Sequence, residues 1–379
     1  MSIKFQHGGL CAICALLLAL NPSAAQAVEA VFENFSQHSP VEVKELDSDT
    51  LRVTWPISTK ARGEVILNLA AHQPLIRSLG TATGSQPVQP IATQLDPVMT
   101  LTIGERDKDI AAKAFRNMVF FEKLNRQPHA AYAVKLVKDR VRVVGGAADR
   151  VTVRVGSIKA GSFNGDLQFT FYPNCPLVHV ETVISTKDEL RATLYDTGLS
   201  SETPDWESFA WMDSVGGGVQ HRAVADAFAP TPQAVKYRAM VAEGRAGSVA
   251  VFALPHRYFY PLDQAENLKF TWFGRGYREM PAGLGFGIRQ PLDGDNRFVP
   301  WFDAPAGVEH RLGVFYLLTP GNGEQALKEV AAYTRQDRFK HLPGYQTFET
   351  DIELVANQKS TVKTEMVSGG PAEGTPLPQ

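Results

Sequence analysis

From Val41 to Thr319, apolar residues return at every second position. Leu51, Val53 and Trp55 alternate with Arg52 and Thr54, and Val151, Val153 and Val155 with Thr152 and Arg154. Leu167, Phe169 and Phe171 share one parity, with Gln168 and Thr170 on the other. The runs Val65–Leu69 and Val178–Ile184 repeat the arrangement. Strand side chains point to alternate faces, so each run offers one apolar face for burial. Turn-formers stand between the runs: Gly145-Gly146, Asn164-Gly165-Asp166, Gly216-Gly217-Gly218 and Gly321. The pattern predicts large antiparallel sheets packed as a sandwich. One stretch changes period: Glu324–Arg335 places Ala326, Val330 and Tyr333 at helical spacing, with Glu324 four residues before Lys328. It predicts a single late α-helix. Lys108–Lys123 reads better as a strand around Met118-Val119-Phe120-Phe121 than as a second helix.

The two ends depart from this pattern. Lys4, the apolar run Leu10–Leu20 and the small residues of Ala25-Gln26-Ala27 read as an export signal over residues 1–27. Residues 28–355 then form one β-domain, and 356–379 a polar, unpatterned tail or linker. The leader run falls short of the roughly 20 apolar residues that cross a bilayer, and no later stretch reaches that length. The expected location is periplasmic or extracellular.

Composition narrows the partners. The 379 residues carry 38 Lys plus Arg against 40 Asp plus Glu, a net charge near −2, which gives no general attraction to nucleic acid or anionic lipid. With 31 Gly and 24 Pro, short strands and many turns are favoured. Cys11 and Cys14 fall in the leader, so the exported chain keeps only Cys175 and forms no internal disulfide. Cys175 lies in the turn signal Pro173-Asn174-Cys175-Pro176.

No P-loop, Gly-x-Ser-x-Gly, His-Glu-x-x-His or pair of Cys-x-x-Cys motifs occurs, so no metal and no cofactor is expected. Gly283-Leu284-Gly285-Phe286-Gly287 reads as a loop or a strand with close backbone approach, and Asp293-Gly294-Asp295-Asn296 as an acidic hairpin loop.

Two groups carry candidate chemistry. His179 and Glu181, two apart on a strand, share a sheet face at about 7 Å, a spacing open to acid–base work in a cleft and equally ordinary on a polar outer face. His256 and His310 are the other catalytic candidates, whereas Glu309 and His310 would point to opposite faces of a strand. The densest aromatic and basic patch holds Tyr258, Tyr260, Trp272, Arg275 and Arg278, joined by Trp301 and Asp303. Aromatic rings stack on the apolar faces of sugars while Arg and Asp bind hydroxyls, and the same aromatics also suit a core.

Several segments resemble a family of large exported bacterial proteins: Pro74–Gly80, Phe171–Leu199, Pro255–Gly274, Gly285–Gln290, Val299–Leu318 and Asp337–Phe348. In that family this region resembles an N-terminal supersandwich like those of galactose mutarotases and polysaccharide-active enzymes. A PHP-type metal-dependent hydrolase domain follows it. The resemblance implies metal-binding histidines just beyond Gly344–Phe348, but no His follows His341 here, so that chemistry is not expected of this chain. Three readings stand. The first is a carbohydrate-binding or accessory module for a polyhydroxylated ligand. The second is a mutarotase-like epimerase or a lyase using a His/carboxylate pair. The third is a structural domain serving a downstream hydrolase domain or partner chain.

Overall fold

A computed structural model describes residues 28–106, 128–214, 217–253, 269–280, 283–290, 292, 299 and 301–334, with two further strand backbones at 348–353 and 361–366. The first strands are β1 (Ala30–Glu33), β2 (Glu42–Asp47), β3 (Thr50–Ser58), β4 (Ala61–Asn68), β5 (Ile76–Thr83), β6 (Gln89–Glu105), β7 (His129–Ala133) and β8 (Lys135–Gly145). There follow β9 (Val151–Ala160), β10 (Phe163–Phe171), β11 (Leu177–Ser185), β12 (Arg191–Ser201), β13 (Trp206–Met212), β14 (Val219–Ala223) and β15 (Thr231–Gln233). The later elements are β16 (Ala239–Gly244), β17 (Gly247–Ala253), β18 (Thr271–Arg275), β19 (Leu284–Ile288), β20 (Phe302–Ala304), β21 (His310–Thr319) and helix α1 (Gly323–Thr334). A hairpin of β22 (Phe348–Glu353) and β23 (Thr361–Met366) comes last, so part of the stretch expected as an unpatterned tail is strand.

Two sheets hold nearly all of this. The ten-stranded sheet runs β1-β8-β9-β10-β11-β21-β17-β16-β13-β14. The eleven-stranded sheet runs β15-β18-β19-β12-β6-β5-β4-β3-β2, with β20 on β12 and β7 on β6. Within these two sheets every pairing is antiparallel except β1 with β8. The inner faces share one core, in which Val153, Phe169 and Val314 from one sheet meet Leu101, Tyr195 and Phe286 from the other. Aromatic pairs bridge the sheets: Trp206 meets Phe286 edge to face at 5.2 Å between ring centres, and Trp55 meets Phe171 at 5.0 Å. Each such ring contributes a large apolar area, at about 25 cal/mol per Å² removed from water. Among the described residues the chain therefore builds a large antiparallel sandwich with one late α-helix.

Local chemistry explains the exceptions to alternation. β17 is buried at every position because its second face is covered by α1, and its sequence GSVAVFA carries no charge. Ala326, Leu327 and Val330 of α1 pack there against Val241, Ala250, Phe252 and Leu317. The helix starts where Asn322 caps it, its Oδ1 accepting from Gln325 N at 3.0 Å. Glu243 holds the same end, accepting from Gly323 N at 2.6 Å. Edge strand β2, EVKELD, is almost wholly exposed, and its charges discourage pairing with another sheet edge. Gly287 and Gly198 face each other across β19 and β12, where a Cβ on Gly287 would lie 2.0 Å from Thr197 O. The glycine-rich run is thus a strand with close backbone approach, as its composition suggests.

Cys175 is free and half-buried in its turn, and its carbonyl accepts from Trp55 Nε1 at 2.8 Å. The leader, the Lys108–Lys123 segment and the acidic loop at Asp293–Asn296 lie outside the described residues. Among those described, no helix is long and apolar enough to cross a membrane.

Candidate functional site

β12 places the first site. Tyr195 and Leu199 face the inner core, and Tyr195 OH donates to Leu312 O of the opposite sheet at 3.0 Å. Asp196 must then point to the outer face of the eleven-stranded sheet. It is only 1% exposed there, a costly setting for a carboxylate unless it is compensated. The compensation is local: Gln290 N donates to Oδ1 at 2.7 Å and Arg278 Nη1 lies 2.6 Å from Oδ2. The Gln290 side chain is tied in turn, its Oε1 accepting from Tyr195 N at 2.8 Å.

Around this pair the face is aromatic and basic. The Arg278 guanidinium sits 5.5 Å above the Tyr277 ring, close enough for a cation–π attraction. Tyr277 stacks on Trp272 at 4.4 Å with ring planes 9° apart. Arg289, also buried, donates from Nε to Tyr277 OH at 2.9 Å and from Nη1 to Lys269 O at 3.1 Å. Burial, reinforced by the Asp196 charge, pushes the Tyr277 hydroxyl far above its ordinary value, so it stays protonated. Thr100 lies opposite Asp196 in the ladder and Thr102 two residues along the same face. Both are buried, and neither hydroxyl has a hydrogen-bond partner among the described residues.

The same face continues toward Gly104, which lies opposite Ala192, four residues from Asp196 and so about 13 Å along the strand. Trp301 covers Gly104 there, and its ring meets His129 edge to face at 5.8 Å. Asp303 on β20 is more than half exposed and ion-paired with Arg106. His310 has a buried Nε2 without a hydrogen-bond partner among the described residues. Burial pulls its imidazole below the ordinary value, and the Asp303 charge only partly opposes this.

Of the residues singled out by sequence, Trp272 and Arg278 thus come together. Trp272 is not an open platform, however: it is fully buried, one face is taken by Tyr277, and its Nε1 donates to Ile288 O at 3.2 Å. Trp301 and Asp303 form the rim, and Arg275 ends β18 exposed. His256, Tyr258 and Tyr260 lie outside the described residues.

His179 and Glu181 occupy the other sheet. They share its outer face as expected, but that face is not half-exposed at this point, since the two are 8% and 6% exposed. Arg311 covers Glu181 with contacts of 3.1 Å and 3.3 Å and also donates to Gln168 Oε1 at 2.8 Å. His179 Nδ1 lies 3.6 Å from Glu181 Oε2, and its ring packs 4.8 Å from that of Phe315. Gly313 makes the room: a Cβ there would lie 2.6 Å from His179 Nε2 and 2.8 Å from Glu181 Cγ. The Glu181 carboxylate is thus occupied by a guanidinium.

Among the described residues, no group of three His, Cys, Asp or Glu side chains is placed to hold a metal ion. The residues that sequence reasoning missed are Asp196, Arg289, Gln290, Thr100 and Thr102. Asp196 did leave a signal, being the one charge between Ala192 and Ser201 in an otherwise uncharged, buried strand.

No protein-family model and no curated protein matches the chain. Solved structures resemble it in shape. The GH36 alpha-galactosidase AgaB from Geobacillus stearothermophilus gives a TM-score of 0.41 at 10% identity, over 74% of this chain and 41% of that one. The alpha-galactosidase from Lactobacillus brevis gives 0.38 at 9%, over 75% and 42%. A galactose mutarotase related enzyme from Lactobacillus acidophilus gives 0.34 at 11%, over 71% and 98%. This chain therefore spans about two fifths of the length of the α-galactosidases. Likeness of this degree carries no residue role or reaction across.

Proposed function

We propose that this chain is an exported saccharide-binding β-sandwich whose ligand lies on the outer face of the eleven-stranded sheet, around Asp196. The carrying observation is the buried Asp196–Arg278 pair beside two buried threonine hydroxyls that have no hydrogen-bond partner among the described residues. A buried hydroxyl left unpaired costs about 1–3 kcal/mol, and buried ion pairs are weak devices for stability alone. Such a concentration is better explained by a ligand that both donates and accepts hydrogen bonds, as vicinal hydroxyls do. Asp196 accepts, Arg278 donates, Thr100 and Thr102 do either, and Trp301 offers a half-buried ring about 13 Å away along the strand.

Export is supported by the Lys4, Leu10–Leu20 and Ala25–Ala27 pattern, and amino-terminal sequencing of secreted protein beginning at Val28 would bear it out. The binding test is a glycan array probed with wild type and with Asp196→Asn and Arg278→Gln. Wild type should bind a neutral saccharide, and each variant should lose at least tenfold in affinity, about 1.4 kcal/mol. A wild type that binds no saccharide, or variants that bind as well as wild type, would refute the proposal.

A further inference from the structure

The outer face of the other sheet holds a pocket of about 200 Å³, lined by Arg140, Arg142, Arg154, Gly156 and Asp166. Its charge is unbalanced, with three guanidinium groups facing one carboxylate. Arg142 and Arg154 are direct cross-strand neighbours in the β8–β9 ladder. Like charges directly opposite each other in a sheet repel, so this pairing calls for a counter-charge.

The counter-charges present are spent or distant. Asp166 holds Arg154 Nη2 at 2.6 Å through one oxygen and Gln168 Nε2 at 2.7 Å through the other. Glu33 lies 3.7 Å from Arg142 at a solvent-exposed edge. Arg154 Nε is buried and has no acceptor among the described residues. Among the described residues Arg140 has no carboxylate partner.

We infer that this pocket binds an oxyanion, a planar carboxylate or a tetrahedral sulfate or phosphate group. Guanidinium forks match such groups with paired hydrogen bonds, and the volume admits one of them together with part of the molecule that carries it. This site is separate from Asp196 and takes a charged group where the first takes neutral hydroxyls.

The experiment is thermal unfolding of wild type, Arg140→Gln and Arg142→Gln at fixed ionic strength. Chloride is replaced stepwise by sulfate, by phosphate or by glucuronate, with glucose as the neutral control. Neither arginine supports the core, so both variants should unfold in chloride as wild type does. Saturable stabilisation of wild type by at least one of the three anions is expected, with a midpoint concentration raised at least tenfold in either variant. A response to glucuronate alone assigns the group to an acidic saccharide, and a response to sulfate or phosphate assigns it to the inorganic ion or its ester. Equal midpoints in chloride and in all three anions would overturn the inference, as would undiminished responses in the variants. Should Arg142→Gln fail to fold, Arg140→Gln alone decides. Asp196→Asn should keep the anion response, so this result is independent of saccharide binding.

Discussion

His310 shows how burial of one ring becomes a property of the protein. Its imidazole is held below its ordinary value by burial, so the folded chain takes up this proton less readily than the unfolded chain. The contribution to stability is complete above the unfolded value of about 6.5 and declines as pH falls from there through the lowered folded value. His310→Gln should therefore flatten the fall in melting temperature between about pH 7.5 and 5. A fall as steep as in wild type would show that other groups carry the acid sensitivity. Asp196 answers to a different logic: its charge is matched by Arg278, and its outward direction follows from the inward one of Tyr195.

At the scale of strands, Gly313 decides whether β21 can accept the His179–Glu181 pair beside it. Gly313→Ala puts a methyl group against both side chains in the middle of the sheet, an overpacking that costs about 1–3 kcal/mol. Denaturant melts should show that loss, and an unchanged midpoint would mean that the pair yields freely.

Strand parity was legible throughout: Leu51, Val53, Trp55, Phe169 and Val180 face the core that their alternation predicts. The helix was legible from spacing and from the Glu324–Lys328 pair, although Tyr333, assigned to its apolar stripe, is 40% exposed. Burial of the opposite parity was not legible. His179 and Glu181 are covered by Arg311, 130 residues from Glu181, and such coverage is set by β21 pairing with β11 rather than by local pattern. Trp272 misled for a different reason: the ring that closes over it, Tyr277, is only five residues away, but the turn that folds it back has no strand pattern to signal it.

At the largest scale the described residues form one sandwich with two differently furnished outer faces. One carries the Asp196 centre between aromatic groups. The other carries the arginine pocket, the Glu181–Arg311 pair and the seat of α1. The proposed saccharide lies on the first of these. Hydrogen exchange with and without the saccharide chosen from the array tests it most directly, because protection reports where the backbone is held. Ligand-dependent slowing is expected at Tyr277–Met280 and in β19 and β12, with the arginine pocket on β8 and β9 unchanged. Slowing confined to β8–β11, or none under saturating ligand, would contradict it.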